Sequence, residues 1–80
     1  MKLPRDLSGA RLIKALSKLG YVPIRQAGSH VRLVTDQPTT HHLTIPLHDP
    51  LRSGTLAALV SDVAAHHGLT RDEVLSILSK

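Results

Sequence analysis

Residues 21–35 read YVPIRQAGSHVRLVT, two short stretches in which apolar and polar residues partly alternate on either side of Ala27-Gly28. Alternation at every second position is typical of a strand with one buried face. An Ala-Gly pair between two such stretches can form a tight turn. The pattern therefore predicts a hairpin of two strands, residues 21–26 and 30–35. Because Pro23 has no backbone N–H, we expect the first strand at a sheet edge.

A third strand is predicted at residues 41–47, after a loop at residues 36–40. Alternation then divides the side chains of the three strands between two faces. The face expected in the core carries Val22, Ile24, Val31, Leu33, Leu43, Ile45 and Leu47. The opposite face carries Tyr21, Arg25, His30, Arg32, His42, Thr44 and His48. One apolar face and one polar, cationic face favour an antiparallel sheet with helices on one side.

Helices are predicted both before and after the three strands in the sequence. The first spans residues 9–19, between a Ser8 cap and Gly20, and the second spans residues 56–66, after Ser53 or Thr55 and before Gly68. Thr70 and Glu73 form a capping box for a short last helix. The predicted fold class is α+β in the order αβββα, as in double-stranded-RNA-binding domains, with a short C-terminal helix added.

The composition bounds the classes of function. Eighty residues predict a single domain over residues 1–80. The net charge of +4 favours an anionic partner such as nucleic acid or an acidic protein. The sequence has no cysteine, no apolar run of about 20 residues and no secretory signal pattern. We therefore expect a cytoplasmic protein with no disulfide and no membrane span.

Six histidines raise the hypothesis of a metal site. Their spacing argues against it, because His66 and His67 diverge on a helix, and His41 and His42 point to opposite faces of a strand. No cysteine and no carboxylate cluster completes a ligand set. We expect no metal and no other cofactor, and we interpret His41, His66 and His67 as surface residues.

The segment at residues 25–30, Arg-Gln-Ala-Gly-Ser-His, is the remaining candidate for chemistry. It places His30 on the polar sheet face beside Arg25 and Arg32. Imidazole transfers protons near neutral pH, and guanidinium groups bind phosphate. From the pattern alone, a histidine at this position is more often structural or merely exposed than catalytic.

The same segment, preceded by Gly20-Tyr21, resembles the motif of HicA toxins, also called the YcfA-like family. The resemblance continues through residues 44–46 (Thr-Ile-Pro), His48 and residues 54–56 (Gly-Thr-Leu), and it covers roughly residues 12–60. Two features depart from the family pattern. The first strand has Val-Pro-Ile at residues 22–24 where many members are more aromatic and Lys-rich, and the tail at residues 69–80 is longer than in the shortest members.

The resemblance implies a double-stranded-RNA-binding-like fold, cleavage of mRNA, and silencing by a HicB antitoxin. The catalytic histidine of the family maps onto His30. Arg25, Arg32, Gly28, Ser29 and His48 form the predicted RNA-binding set, and His48, His42 or water could assist His30. Two other functions stay open at this point: a non-catalytic RNA-binding module and a protein-interaction domain.

Overall fold

The computed structural model describes residues 3–80 and contains three helices and three strands in those residues. Helix α1 is followed by a 3-10 turn, and the three strands then precede the two remaining helices. The elements are α1 (Gly9–Leu16), the 3-10 turn (Ser17–Leu19), β1 (Val22–Ala27), β2 (His30–Thr35), β3 (His41–Pro46), α2 (Ser53–His67) and α3 (Arg71–Leu78). The predicted α+β class and element order are confirmed.

The three strands form one sheet in the order β1-β2-β3, and both pairings are antiparallel. On the inner face, Val31, Leu33 and Thr35 of β2 are buried, as are Leu43 and Ile45 of β3. The helices cover this face, and the outer face is open to solvent. One strand, β2, therefore contributes residues both to the core and to the exposed surface of the sheet.

Most of the predicted helix ends are confirmed by the hydrogen bonds at the caps. The Ser8 hydroxyl accepts from Arg11 N at 3.1 Å, and Gly20 adopts a left-handed conformation with φ 83°. Thr70 and Glu73 form both hydrogen bonds of the capping box. Helix α2 begins at Ser53, three residues before the predicted start. Neither Ser53 nor Thr55 caps it, because the N-cap is Arg52, which makes no side-chain cap bond.

The core is built almost entirely from aliphatic side chains. It contains Leu12, Leu16, Tyr21, Val31, Leu33, Leu43, Ile45, Leu51, Leu56, Val60, Val63, Ala64 and Val74. Thr35 is a polar residue buried beside these side chains. Its hydroxyl donates to Leu19 O at 3.1 Å and accepts from Gln37 N at 3.2 Å. None of the helices in residues 3–80 is both long and apolar enough to cross a membrane.

The prediction that Val22 and Ile24 lie in the core is wrong. Val22 is 52% exposed and Ile24 is 53% exposed, and all six residues of β1 are exposed. Val22 pairs with Val34, which places it on the outer face, and the register shifts between Pro23 and Arg25, which leaves Ile24 unpaired. Because β1 is an edge strand with this bulge, its apolar side chains lie outside the core.

Leu47 was also expected on the core face, but it lies beyond β3 and is 37% exposed. Its backbone N–H donates to Ser29 O at 2.7 Å. The position of this residue is therefore determined by a hydrogen bond to the β1–β2 turn and not by burial of its side chain.

Gly9 is a point of close approach between α1 and β3. Its N–H donates to His48 O at 2.9 Å, and a Cβ at this position would lie 2.0 Å from Pro46 O. No side chain other than hydrogen fits there. This contact holds the start of α1 against the end of β3, and Pro46 pairs directly with His30 of β2.

Replacing Gly9 by alanine should therefore destabilise the protein by about 1–3 kcal/mol, as overpacking typically does. Gly54→Ala is the matched control, because nothing lies within 4 Å of a Cβ built there and the residue is helical. That variant should be neutral or more stable by up to about 1 kcal/mol. Urea unfolding of the two variants measures the difference, and equal effects would contradict a tight contact at Gly9.

Candidate functional site

His30 is the first residue of β2 and stands directly after the hairpin turn. It pairs with Ala27 on one side and Pro46 on the other, and its side chain is exposed on the outer face. The turn residues are Gly28 and Ser29, one position later than the predicted Ala27-Gly28. Gly28 has φ 57°, whereas Ser29, like every non-glycine residue in the range 3–80, has no positive φ. A glycine at positive φ in the first turn position only is the pattern of a type II′ hairpin.

Two contacts brace this turn from its two sides. Gln26 Nε2 donates to Gly28 O at 3.0 Å, and Leu47 N donates to Ser29 O at 2.7 Å. The sequence pattern predicted a contact with the turn for neither residue. Gln26 could have been suspected from its place in the Arg-Gln-Ala-Gly-Ser-His segment, whereas Leu47 is recruited only by the pairing of β3 with β2. Both contacts fix the backbone immediately before His30.

Arg25 and Arg32 face each other directly across β1 and β2, and Thr44 of β3 is next to Arg32 in the same row. All three side chains are exposed on the outer face that carries His30. Neither guanidinium forms an ion pair within residues 3–80. Like charges directly opposite each other in a sheet are unfavourable, and a bound anion would relieve their repulsion. The structure thus brings together His30, Arg25 and Arg32 as predicted.

His42 and His48, the two histidines considered as partners of His30, lie at different places relative to it: one is far along β3 and the other is beyond the end of that strand. His42 lies on the outer face in the row of Val34, four residues along β3 from Pro46, which puts it about 13 Å from the His30 row. His48 is exposed but follows the end of β3, so strand alternation does not assign it to the outer face. Its carbonyl accepts from Gly9 N. The RNA contact assigned to His48 stays a prediction.

Tyr21 was expected on the outer face, and this prediction is wrong. The residue precedes β1, is only 1% exposed and packs in the core. Its hydroxyl lies 2.7 Å from His41 Nδ1 and 3.1 Å from His67 Nε2. Burial, and secondarily the charge of Asp62, raises the pKa of Tyr21 to about 12. The phenol therefore stays protonated near neutral pH.

His41, His66 and His67 are likewise not the free surface residues that we expected. Each is half-buried at the other end of the sheet from His30. His41 and His67 form hydrogen bonds with Tyr21, His41 also contacts Asp62, and the ring of His66 stacks on that of His41. The only sequence signal for this group is the spacing of Asp62 and His66, which are four residues apart and so share a helix face. Residues 3–80 contain no group of three or more His, Asp or Glu side chains arranged to hold a metal ion.

The outer face can support proton transfer next to a bound anion. The imidazole of His30 is exposed to solvent, and the row of Arg25 and Arg32 lies about 7 Å away, two residues along β2. A phosphodiester spanning these two rows would place a phosphate against the guanidiniums and a neighbouring oxygen against the imidazole.

Comparison with known proteins assigns this chain to a family. The family model described as the HicA toxin of bacterial toxin-antitoxin matches residues 9–65, more than half of the chain. The chain belongs to the HicA toxin family. No curated protein and no solved structure matches it. The match begins at Gly9 and ends in α2, so it includes Arg25, His30 and Arg32 and leaves α3 outside.

Because His30 is exposed and its side chain forms no hydrogen bond with any residue of the described range 3–80, His30→Ala should change the free energy of unfolding by less than about 1 kcal/mol. Leu33→Ala in the same strand is the control for a core position, and it should cost about 2–5 kcal/mol. Chemical denaturation gives both values. A loss of several kcal/mol for His30→Ala would show a structural role for this histidine.

Proposed function

We propose that this HicA-family chain is the toxin of a type II toxin–antitoxin pair and acts as a metal-independent endoribonuclease on mRNA, with His30 as the catalytic residue. The observation that carries the proposal is the exposed imidazole of His30 on the same sheet face as two guanidiniums that form no ion pair within residues 3–80. All three residues lie inside the region matched to the toxin family. Residues 1–80 would act as one nuclease domain in the cytoplasm.

In the proposed reaction, His30 accepts the proton of the RNA 2′-hydroxyl while the 2′-oxygen attacks the adjacent phosphorus. The bond from phosphorus to the 5′-oxygen breaks as the new bond forms, and the leaving oxygen takes a proton. His30 could instead supply that second proton. One imidazole cannot do both at once, and His42 lies too far along β3, so His48 or water supplies the other proton transfer.

Arg25 and Arg32 would bind the phosphate and stabilise the charge that grows on it. Their direct pairing across β1 and β2 supports a shared anion site. Gly28 and Ser29 would contribute through the turn backbone, because the positive φ of Gly28 sets the direction in which His30 leaves the turn. General acid–base catalysis by one positioned group typically supplies about 10²–10⁴ in rate.

Metal independence is proposed on the donor chemistry of the site. In the two strand rows that contain His30 and the arginines, the other residues are guanidiniums, a threonine, a proline and an alanine, which offer no carboxylate and no imidazole to a divalent ion. His48, beyond the end of β3, would add at most one further imidazole, which is too few ligands for a metal site. Phosphate charge would therefore be neutralised by Arg25 and Arg32 in place of a metal ion.

The toxin would be silenced by a HicB-type antitoxin that covers the outer sheet face. An acidic protein over Arg25, His30 and Arg32 would exclude RNA and gain charge complementarity. Binding to the folded state would also raise the apparent stability of this small domain.

The cleavage experiment compares wild type, His30→Ala and His42→Ala on an mRNA substrate, with and without excess EDTA. We expect His30→Ala to lose about 10²–10⁴ in rate while it stays folded, and His42→Ala to cleave normally because its histidine lies four residues away along β3. Wild-type cleavage should survive EDTA. A folded His30→Ala protein that cuts at the wild-type rate would leave the RNA-binding module as the better function.

Binding of the antitoxin is tested with the double variant Arg25→Ala, Arg32→Ala. Its affinity for the antitoxin should fall and depend less on salt, whereas Arg71→Ala, which removes one charge at the start of α3, should bind as wild type. Titration calorimetry at two salt concentrations measures both. A complex whose structure leaves His30 open to RNA would refute masking of this face.

A further inference from the structure

At the end of the sheet remote from His30, Tyr21 lies between two histidines in a chain of hydrogen bonds. His41 Nε2 is 3.1 Å from Asp62 Oδ1, His41 Nδ1 is 2.7 Å from the Tyr21 hydroxyl, and that hydroxyl is 3.1 Å from His67 Nε2. The rings of His41 and His66 stack with centroids 4.2 Å apart, and His66 Nε2 is 3.0 Å from Thr39 O. We call this group the histidine network.

With all three imidazoles neutral, the contacts fix every proton in the network. The Asp62 carboxylate only accepts, so His41 carries its hydrogen on Nε2 and accepts at Nδ1 from the Tyr21 hydroxyl. The Tyr21 oxygen then accepts from Nε2–H of His67. The Thr39 carbonyl also only accepts, so His66 too is protonated on Nε2. Every polar atom in contact is satisfied.

One added proton can be accommodated without breaking a contact. If His41 takes it at Nδ1, both of its nitrogens donate, to Asp62 and to Tyr21. The Tyr21 hydroxyl then turns to donate to His67 Nε2, and the neutral His67 ring carries its hydrogen on Nδ1. The ion pair of His41 with Asp62 compensates the added charge.

A second proton has no such solution. With both His41 and His67 charged, two N–H donors point at one phenol oxygen, and the hydroxyl hydrogen has no acceptor left in the network. If His66 is charged instead, two imidazolium rings stack at 4.2 Å. The first arrangement places two positive charges on either side of one hydroxyl, and the second places them in stacked rings; both lie in a half-buried site, which is costly.

The network joins elements that are distant in sequence. Tyr21 precedes β1, His41 begins β3, and Asp62, His66 and His67 lie on the last part of α2. Two other acidic side chains form hydrogen bonds outside the network: Asp36 accepts from Thr40, and Glu73 at the start of α3 accepts from Thr70 N. Asp62 is therefore the one carboxylate in residues 3–80 that is hydrogen-bonded to the network.

We propose that the histidine network is a proton-binding site that takes up one proton in place and, on taking up a second, releases the end of α2 from the sheet. It would make the folded state of this toxin sensitive to acid. The site is independent of the proposed nuclease function, because His41 is five residues along β3 from the partner of His30, about 16 Å away.

The direction of the pH effect follows from His67. Burial lowers its pKa below the ordinary value of 6.5, with His66 and His41 adding to the shift. A histidine whose pKa is lower in the folded state binds its proton more readily when the chain is unfolded. Stability is therefore highest above pH 6.5 and falls as the pH drops from 6.5 toward the folded-state pKa.

The first experiment measures thermal unfolding of the full chain from pH 8 to pH 5. His67→Gln keeps an N–H donor for Tyr21 but cannot take a proton. The control is His42→Gln, which removes an exposed histidine next to His41 in β3. We expect the melting temperature of wild type and His42→Gln to fall by about 4–8 °C more than that of His67→Gln. An equal fall in wild type and His67→Gln overturns the proposal.

The second experiment needs no variant, so it holds even if His67→Gln does not fold. Long-range nitrogen–proton NMR spectra of the wild-type chain report which ring nitrogen carries hydrogen. At pH 8 we expect His41, His66 and His67 all protonated on Nε2. When the network takes up its first proton, His67 should shift to Nδ1–H. A His41 ring with hydrogen on Nδ1 alone at pH 8, or a His67 ring that stays protonated on Nε2 while the network takes up its first proton, overturns the proposal.

Discussion

The register of β2 between its two neighbours is the constraint on which the rest of the structure depends. Val31 and Leu33 of this strand face the core, and His30 and Arg32 face solvent. A slip of one residue would move the polar side chains of His30 and Arg32 inward, while the apolar residues would become exposed. The hairpin with Gly28 at positive φ sets the register on one side, and pairing with Leu43 and Ile45 sets it on the other.

The proposed active site depends on this register more than on any packed cavity. Among the described residues, none forms a hydrogen bond or ion pair with the His30 side chain, so its position comes from the backbone of the turn. Gln26 of β1 and Leu47, just after β3, brace that backbone, and Gly9 holds α1 against the strand end that pairs with His30. A site built this way is open, which suits a long polymeric substrate and also makes it easy for a partner protein to cover.

The two ends of the sheet hold histidines in opposite physical states. At one end the imidazole of His30 is exposed to solvent. At the other end His41 and His67 share a single phenol hydroxyl and stand next to a third imidazole. Tyr21, the only aromatic residue in an aliphatic core, joins the core to this polar group. The difference in environment, and not in residue type, separates a candidate catalyst from a candidate proton sensor.

The sequence by itself determined the order of elements, most helix caps, the hairpin and the sharing of one face by Arg25, His30 and Arg32. These features depend on local chemistry: alternation, cap hydroxyls and a glycine turn act over a few residues. Tertiary structure alone decided that Val22 and Ile24 stay outside the core, that Tyr21 lies inside it, and that His41, His66 and His67 meet. Those outcomes depend on which strand is at the edge and on how α2 crosses the sheet, and pairings between residues 20 to 46 positions apart leave no local pattern in the chain.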